Sequence, residues 1–300
     1  MRIYYGNMNH SIDVTNICIE KLKHNNTIII QSGDLIRAFI FTDPLVGVHK
    51  NIIIEHNGVF TEYNEYMQIH INVLNNTIVT IHNNDIIRKL IYIHSMLQIK
   101  HGSLNDEIPE QKMVVRYLTG NEKVLEIGGN IGRNSLVIAS IVKIMVTLEC
   151  DPTIANQLKE NRDLNNFNFH IECAALSNRK LIQKEWDTIP SETLLDGYNW
   201  INTITWENLK NKYSIDFDTL VLDCEGAFYY ILMDTPQILD NINLIIMEND
   251  YRDITHKQYI DSVLKNNFYI DYVEQGGWEP CYNNFFEVWK RASKTEIIYL

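Results

Sequence analysis

A chain of 300 residues with 45% apolar side chains is long enough to bury two cores. Its net charge of −12, with no Lys/Arg run, excludes the basic surface that phosphate contacts need, so no nucleic-acid partner is expected. No run approaches the ~18 apolar residues of a membrane span, and the start MRIYYGNMNH lacks an apolar signal segment, so neither a membrane partner nor secretion is expected. The five cysteines are odd in number and widely spaced, forming neither a disulfide framework nor a metal pair. A reducing, cytoplasmic compartment follows. Ile and Asn make up about a quarter of the chain, a bias toward A/T-rich codons. A low-G+C microbe or a large DNA virus fits that bias, and a viral protein would work in the host cytoplasm.

Residues 1–82 carry short apolar, β-branched runs at 2–5, 11–19, 27–31, 52–55, 66–73 and 77–81. Turn signals such as Asn25-Asn26, Ser32-Gly33-Asp34, Asp43-Pro44, Asn57-Gly58 and Asn75-Asn76 divide them. That spacing predicts a small β-sandwich or open β-sheet as a first domain. Such a module serves packing or homo-oligomerisation, or binds a glycan or protein. Residues 83–107 form a connector, helical over 85–101 where apolar side chains recur at helical period, and broken by the polar 103–109 stretch. A helix over 110–118 then leads into the second domain, 108–300.

VLEIGGNIGRNSL, 124–136, is a buried strand, a glycine turn and a helix start. Glycines at 128, 129 and 132 allow a tight turn and a close ligand approach. This is how α/β proteins build a nucleotide site. The dinucleotide fingerprint G-x-G-x-x-G fails, because counting from Gly128 its other glycines fall at Asn130 and Arg133. NAD chemistry is therefore disfavoured. An acidic residue followed by G-G-N-I-G suits a nucleoside with a cationic tail and no pyrophosphate, and S-adenosylmethionine is such a ligand. A second apolar strand, 144–148, ends at Glu149, roughly 20 residues past the glycine turn, where a carboxylate accepts hydrogen bonds from both ribose hydroxyls. Asp151-Pro152 opens the next helix.

Residues 177–213 are too long for a simple connection, and Trp186, Trp200 and Trp206 argue that the segment is ordered. It is expected to form one wall of an acceptor pocket. The strand 217–223 runs into Asp223-Cys224-Glu225-Gly226, and the strand 244–247 runs into Glu248-Asn249-Asp250. Ligands of doubly wound sheets bind beyond the carboxyl ends of the strands, so these groups should crowd the rim that holds the glycine turn. Gly276-Gly277-Trp278 joins the last two strands and should border it too.

Five segments together resemble the FkbM-type S-adenosylmethionine-dependent methyltransferases. VLEIGGNIGRNSL is similar to that family's D-x-G-A-N-x-G motif, TLECDP (147–152) to its F-E-P motif, and ECAALSN (172–178) to the A-L-S segment that flanks the adenine. LDCEGAFYYIL (222–232) is similar to I-D-V-E-G, and LIIMEND (244–250) to the following strand ending in Glu. The resemblance spans roughly 108–291. It implies an α/β fold with a Rossmann-like class I methyltransferase sheet, seven strands and mostly parallel, behind the β-rich N-terminal domain. It implies S-adenosyl-L-methionine as cofactor, held by Glu126, Gly128, Asn130, Gly132, Glu149, Cys150, Ala174 and Asp223, with Glu110 close by. It also implies an O-methyl transfer to a sugar or glycan hydroxyl. One departure stands out, since the family usually has Lys two residues before the Asp of D-x-E-G and this chain has Val221.

An acceptor hydroxyl is a poor nucleophile until a base or a divalent cation acts on its oxygen. Asp223, Glu225 and His256 are the expected catalytic groups, and Asp223, Glu248 and Asn249 offer the oxygen ligands that Mg²⁺ prefers. Alternatively, Glu225 and Glu248 bond to backbone and cap helices. An enzyme acting on a small-molecule or glycan acceptor is favoured. A catalytically silent binding or scaffold protein is the alternative that Val221 keeps open.

Overall fold

The computed structural model describes residues 1–48, 50–184 and 187–292, so Trp186 lies outside it. One compact unit runs to Arg88 and a second begins at Lys89, the boundary falling within the helix Asn83–Met96. Among the described residues no helix is long and apolar enough to cross a membrane.

The first unit contains two four-stranded antiparallel sheets. In one, Arg2–Asn7 lies between His10–Asp13 and Asn51–His56, with Val59–Tyr63 outermost. In the other, Lys23–His24, Thr27–Ile30, Met67–Asn72 and Thr77–His82 follow in that order. Alternate residues turn inward, as a two-residue period requires, so Ile3, Tyr5, Ile52 and Ile54 meet Ile28, Ile30, Ile69 and Ile71 in a single core. The unit also contains two helices that the pattern of apolar runs conceals. The run at 11–19 breaks after Asp13, whose carboxylate accepts the Thr15 N–H at 2.9 Å, and Thr15–Lys21 is helical with Cys18 buried. The second helix, Asp34–Phe41, is anchored by the fully buried Arg37. Its guanidinium donates to the carbonyls of Gln31, Asn64 and Met67 at 2.8, 3.1 and 2.6 Å.

The second unit is built on a seven-stranded sheet of β1 (Lys123–Ile127), β2 (Ile144–Leu148), β3 (His170–Glu172), β4 (Thr219–Leu222), β5 (Leu244–Glu248), β6 (Phe268–Glu274) and β7 (Phe286–Arg291). The spatial order is β3-β2-β1-β4-β5-β7-β6, with only β7 antiparallel to its neighbours. β1, β2, β4 and β5 are buried along most of their length and mainly apolar because both of their faces are covered, with Glu126 and Thr147 as buried polar exceptions. The helices are α1 (Ile108–Tyr117), α2 (Arg133–Ala139), α3 (Pro152–Leu164), α4 (Trp206–Tyr213), α5 (Ala227–Asp234) and α6 (Ile254–Leu264). From β1 the chain steps outward to β2 and β3, then returns to place β4 on the other side of β1. This reversal opens a crevice beyond the carboxyl ends of β1 and β4. The segment before α4 forms its own small antiparallel sheet, with Leu181–Lys184 between Asp187–Pro190 and Asn199–Ile201.

Candidate functional site

β1 ends at Ile127 and the chain turns at once, because Gly128 and Gly129 both donate to the Leu148 carbonyl, at 3.0 and 2.9 Å. Gly128 takes φ +93°, and a Cβ there would lie 1.6 Å from the Asp223 carbonyl oxygen. A Cβ on Gly129 would sit 2.3 Å from Thr147 Oγ1 and 2.8 Å from Leu158. These glycines thus let the strand ends pack closely, and Gly128 also borders the cavity described below. Gly132, at φ +92°, opens α2 and does not line the cavity described below. Glu126 does not line it either. Its carboxyl is buried beneath α2, accepts the Ser135 hydroxyl, and is lifted by burial to about 7.

Asn130, in left-handed backbone at φ +45°, donates its N–H to Glu149 Oε2 at 2.9 Å. Glu149 Oε1 accepts the Asp151 N–H at 2.8 Å, so the carboxylate is held from both sides. Burial raises its pKa, against the pull of those N–H groups. A cavity of about 370 Å³ opens here, bordered by Gly128, Asn130, Glu149, Cys150, Ala174 and Asp223. That is a size suited to a small ligand. Four carboxyl groups line it, those of Glu149, Asp151, Asp223 and Glu225, and its described lining contains no Lys, Arg or His. The Cys150 and Cys224 thiols are both pushed up to about 12, chiefly by burial, and stay protonated.

Asp223 follows β4 and donates its N–H to the Ile127 carbonyl at 3.1 Å. Burial, then Glu107 and Glu110, hold its carboxyl well above the usual carboxylate range. Glu248 is pushed to about 11 by burial, then by Asp223 and by a hydrogen bond with Glu110. Glu225 rises to about 8 through burial and then a hydrogen bond with Asp250. Asn249, fully buried, turns its Nδ2 to the Asn284 carbonyl at 2.6 Å. Among the described residues no three His, Cys, Asp or Glu side chains are grouped to hold a metal.

A second cavity of about 280 Å³ adjoins the first, and Glu225, Leu176, Leu181, Thr188, Ala227 and Ile231 border both. Glu225 sits at φ +50°, followed by Gly226 at φ +79°, and this left-handed pair swings the chain from β4 into α5. His256 also lines the second cavity, its ring lying on Tyr229 with centroids 3.8 Å apart and planes at 10°. The 177–213 segment supplies a wall through Leu181, Thr188, Pro190 and Trp206, whereas Trp200 is 46% exposed and takes no part. Trp278 is 52% exposed, packs edge-on to Phe285, and lines neither cavity. Arg179, Tyr230 and Arg252 also border the second cavity, and none of them was singled out by the sequence. Helical spacing from the D-C-E-G turn offers the missing signal, since Ala227, Tyr230, Ile231 and Asp234 recur on one face of α5.

No family model matches this chain, the FkbM family included, and no curated protein matches it. Solved structures with a similar fold include a ribosomal protein L11 methylase from Lactobacillus delbrueckii subsp. bulgaricus, 15% identical at a TM-score of 0.41, over 66% of this chain and 84% of that one. A putative O-methyltransferase from Klebsiella pneumoniae is 16% identical at a TM-score of 0.40, over 69% and 90%. The O-methyltransferase from Bacillus cereus, in complex with SAH, is 11% identical at 0.39, over 70% and 90%. Likeness this distant concerns the fold and assigns no activity to this chain.

Proposed function

We propose that this protein is an S-adenosylmethionine-dependent methyltransferase acting on an acceptor hydroxyl. The observation that carries this reading is the acid-lined cavity at the sheet's switch point, with four carboxyl groups and no cationic side chain. A pyrophosphate would find no cationic side chain to bind it there, whereas a nucleoside with a cationic tail, such as S-adenosylmethionine, needs none. Glu149 would take the ribose hydroxyls, with Ala174, Leu176 and Ile154 against the adenine and the Asp223–Glu225 side facing the cationic end. When bound, the cofactor supplies an activated methyl group.

The chain's own part is to orient the acceptor and hold its proton. Glu225 is the group suited to that, since it borders both cavities and ionises near 8, close to working pH. His256 reaches only the second cavity, and Asp223 only the first. The FkbM resemblance implies a sugar or glycan hydroxyl as acceptor, and Val221, buried in β4, leaves Glu225 without the family's lysine. Calorimetry with S-adenosylhomocysteine tests the reading. Glu149→Gln removes the charge that accepts the ribose hydroxyls and should weaken binding by about 1.5–3 kcal/mol, roughly ten- to a hundred-fold. Unchanged affinity in that variant, or NAD⁺ binding equally well to the unaltered chain, would refute it.

A further inference from the structure

The 177–213 segment, expected to wall an acceptor pocket, also walls the first cavity. Leu181–Lys184 pairs with Asp187–Pro190 so that Gln183 lies directly opposite Thr188. Successive side chains of a strand point to opposite faces, so Leu181 and Gln183 look into the cavity while Ile182 is fully buried behind them. The Thr188 hydroxyl is bonded to the Cys150 thiol, which fixes this wall next to Glu149. The wall follows from Ala175 and Leu176, just past the outermost strand β3. It therefore stands on the β3 side of Glu149, away from Asp223 at the end of β4. If Glu149 holds a ribose, that is the side of the base.

Other polar groups on this side are engaged. The Ala174 and Ala175 N–H groups donate to the carbonyls of Glu172 and Asn202, at 3.0 and 2.9 Å. Asp151 Oδ1 accepts the two cap N–H groups of α3, at 2.7 and 3.0 Å. The half-buried Gln183 amide is bonded to no described residue, so a carbonyl and an NH₂ group are offered to the cavity together. We infer that Gln183 reads the nucleobase, its carbonyl accepting from the 6-amino group of an adenine and its NH₂ donating to an adjacent ring nitrogen. A primary amide matches that donor–acceptor edge with two parallel hydrogen bonds, the pairing glutamine makes with adenine in nucleic-acid recognition. Ile154, Leu176 and Leu181 offer the ring only apolar surface, which suits any purine. Gln183 is thus the specificity-determining residue of this cavity. The inference rests on the nucleoside-cofactor reading for the identity of the ligand.

The test is a calorimetric cycle on the full chain, pairing a change in the protein with a change in the ligand. The ligands are S-adenosylhomocysteine and its 6-deamino analogue, in which purine replaces adenine. The unaltered chain should bind S-adenosylhomocysteine about tenfold more tightly than the analogue, the effect of one neutral hydrogen bond. Gln183→Leu, which nearly keeps the volume, should weaken S-adenosylhomocysteine about tenfold and leave the analogue unchanged, so that the preference disappears. Unchanged affinity for the analogue also reports an intact fold and cavity. Should that variant fail to fold, Gln183→Met is read in the same way. No preference in the unaltered chain, or both ligands weakened alike by the substitution, would overturn the inference. Glu149→Gln separates it from the reading beneath it. S-adenosylhomocysteine binding that needs Glu149 but not Gln183 removes this inference alone, and no binding to the unaltered chain removes both.

Discussion

At the scale of single residues, the glycine turn is a packing device before it is a ligand device. Gly128→Ala would set a methyl group against the Asp223 carbonyl in a backbone conformation, φ +93°, that alanine resists. No flexible side chain can yield there, so the β1 and β4 ends must part. The expected loss exceeds about 4 kcal/mol, the range reserved for named structural damage. Urea denaturation measures it, and a loss under about 1 kcal/mol would mean the two strand ends are not that close. Lys257 is a second sensitive residue, 2% exposed and 2.8 Å from Glu287, itself 1% exposed. Lys257→Met strands a buried carboxylate and should cost about 3–5 kcal/mol. Asn284 and Trp289 still donate to Glu287, each at 2.9 Å, so adding Glu287→Gln should recover part of the loss in a double-mutant cycle.

At the scale of elements, the turn from β2 into α3 does two things with adjacent acids. Asp151 caps α3 by accepting the Thr153 and Ile154 N–H groups at 2.7 and 3.0 Å, while its own N–H fixes Glu149. Asp151→Ala keeps that N–H and loses the cap. It should cost about 1 kcal/mol of stability, a melting shift of roughly 2–4 °C for a unit of this size. Nucleoside affinity should hold within a few-fold, and a hundredfold drop would show that Asp151 itself contacts the ligand. The strand, glycine turn and helix around β1 were legible in the sequence because each is dictated locally, by a short apolar run and by glycines where φ is positive. The Thr15–Lys21 and Asp34–Phe41 helices were not, because their β-branched and aromatic residues resemble strands until Asp13 and Arg37 find partners elsewhere in the fold.

At the scale of the whole molecule, buried acids set the response to pH. Glu126, Glu225 and Glu248 hold protons up to about 7, 8 and 11, against an ordinary 4.5. The folded chain therefore binds protons that the unfolded chain releases, so their contribution is complete below pH 4.5 and is lost as pH rises through the folded values. Glu160, drawn down to about 2 by Lys100 and His101, acts in the opposite sense, its contribution vanishing as pH falls below 4.5. Denaturation midpoints of the ligand-free chain should decline steadily from pH 4.5 to 8, and a rise over that range would contradict the assignment. A cationic nucleoside favours ionised carboxylates, so its binding near pH 7 should release protons. Calorimetry in buffers of different ionisation enthalpy detects this, and proton uptake would count against a cation in the cavity.

The sequence by itself determined the parallel sheet, the glycine turn and the place of Glu149, since run length, φ requirements and strand-end chemistry are properties of contiguous residues. Only the tertiary structure decided which acids meet. Glu248 pairs with Glu110 from α1, and Glu225 with Asp250 from beyond β5, each joining segments that no spacing rule connects. The same holds for the second cavity, whose walls come from the 177–213 segment, α5 and the start of α6. Its shape and its uncommitted charges arise from packing between distant segments, and a one-dimensional pattern carries no term for that.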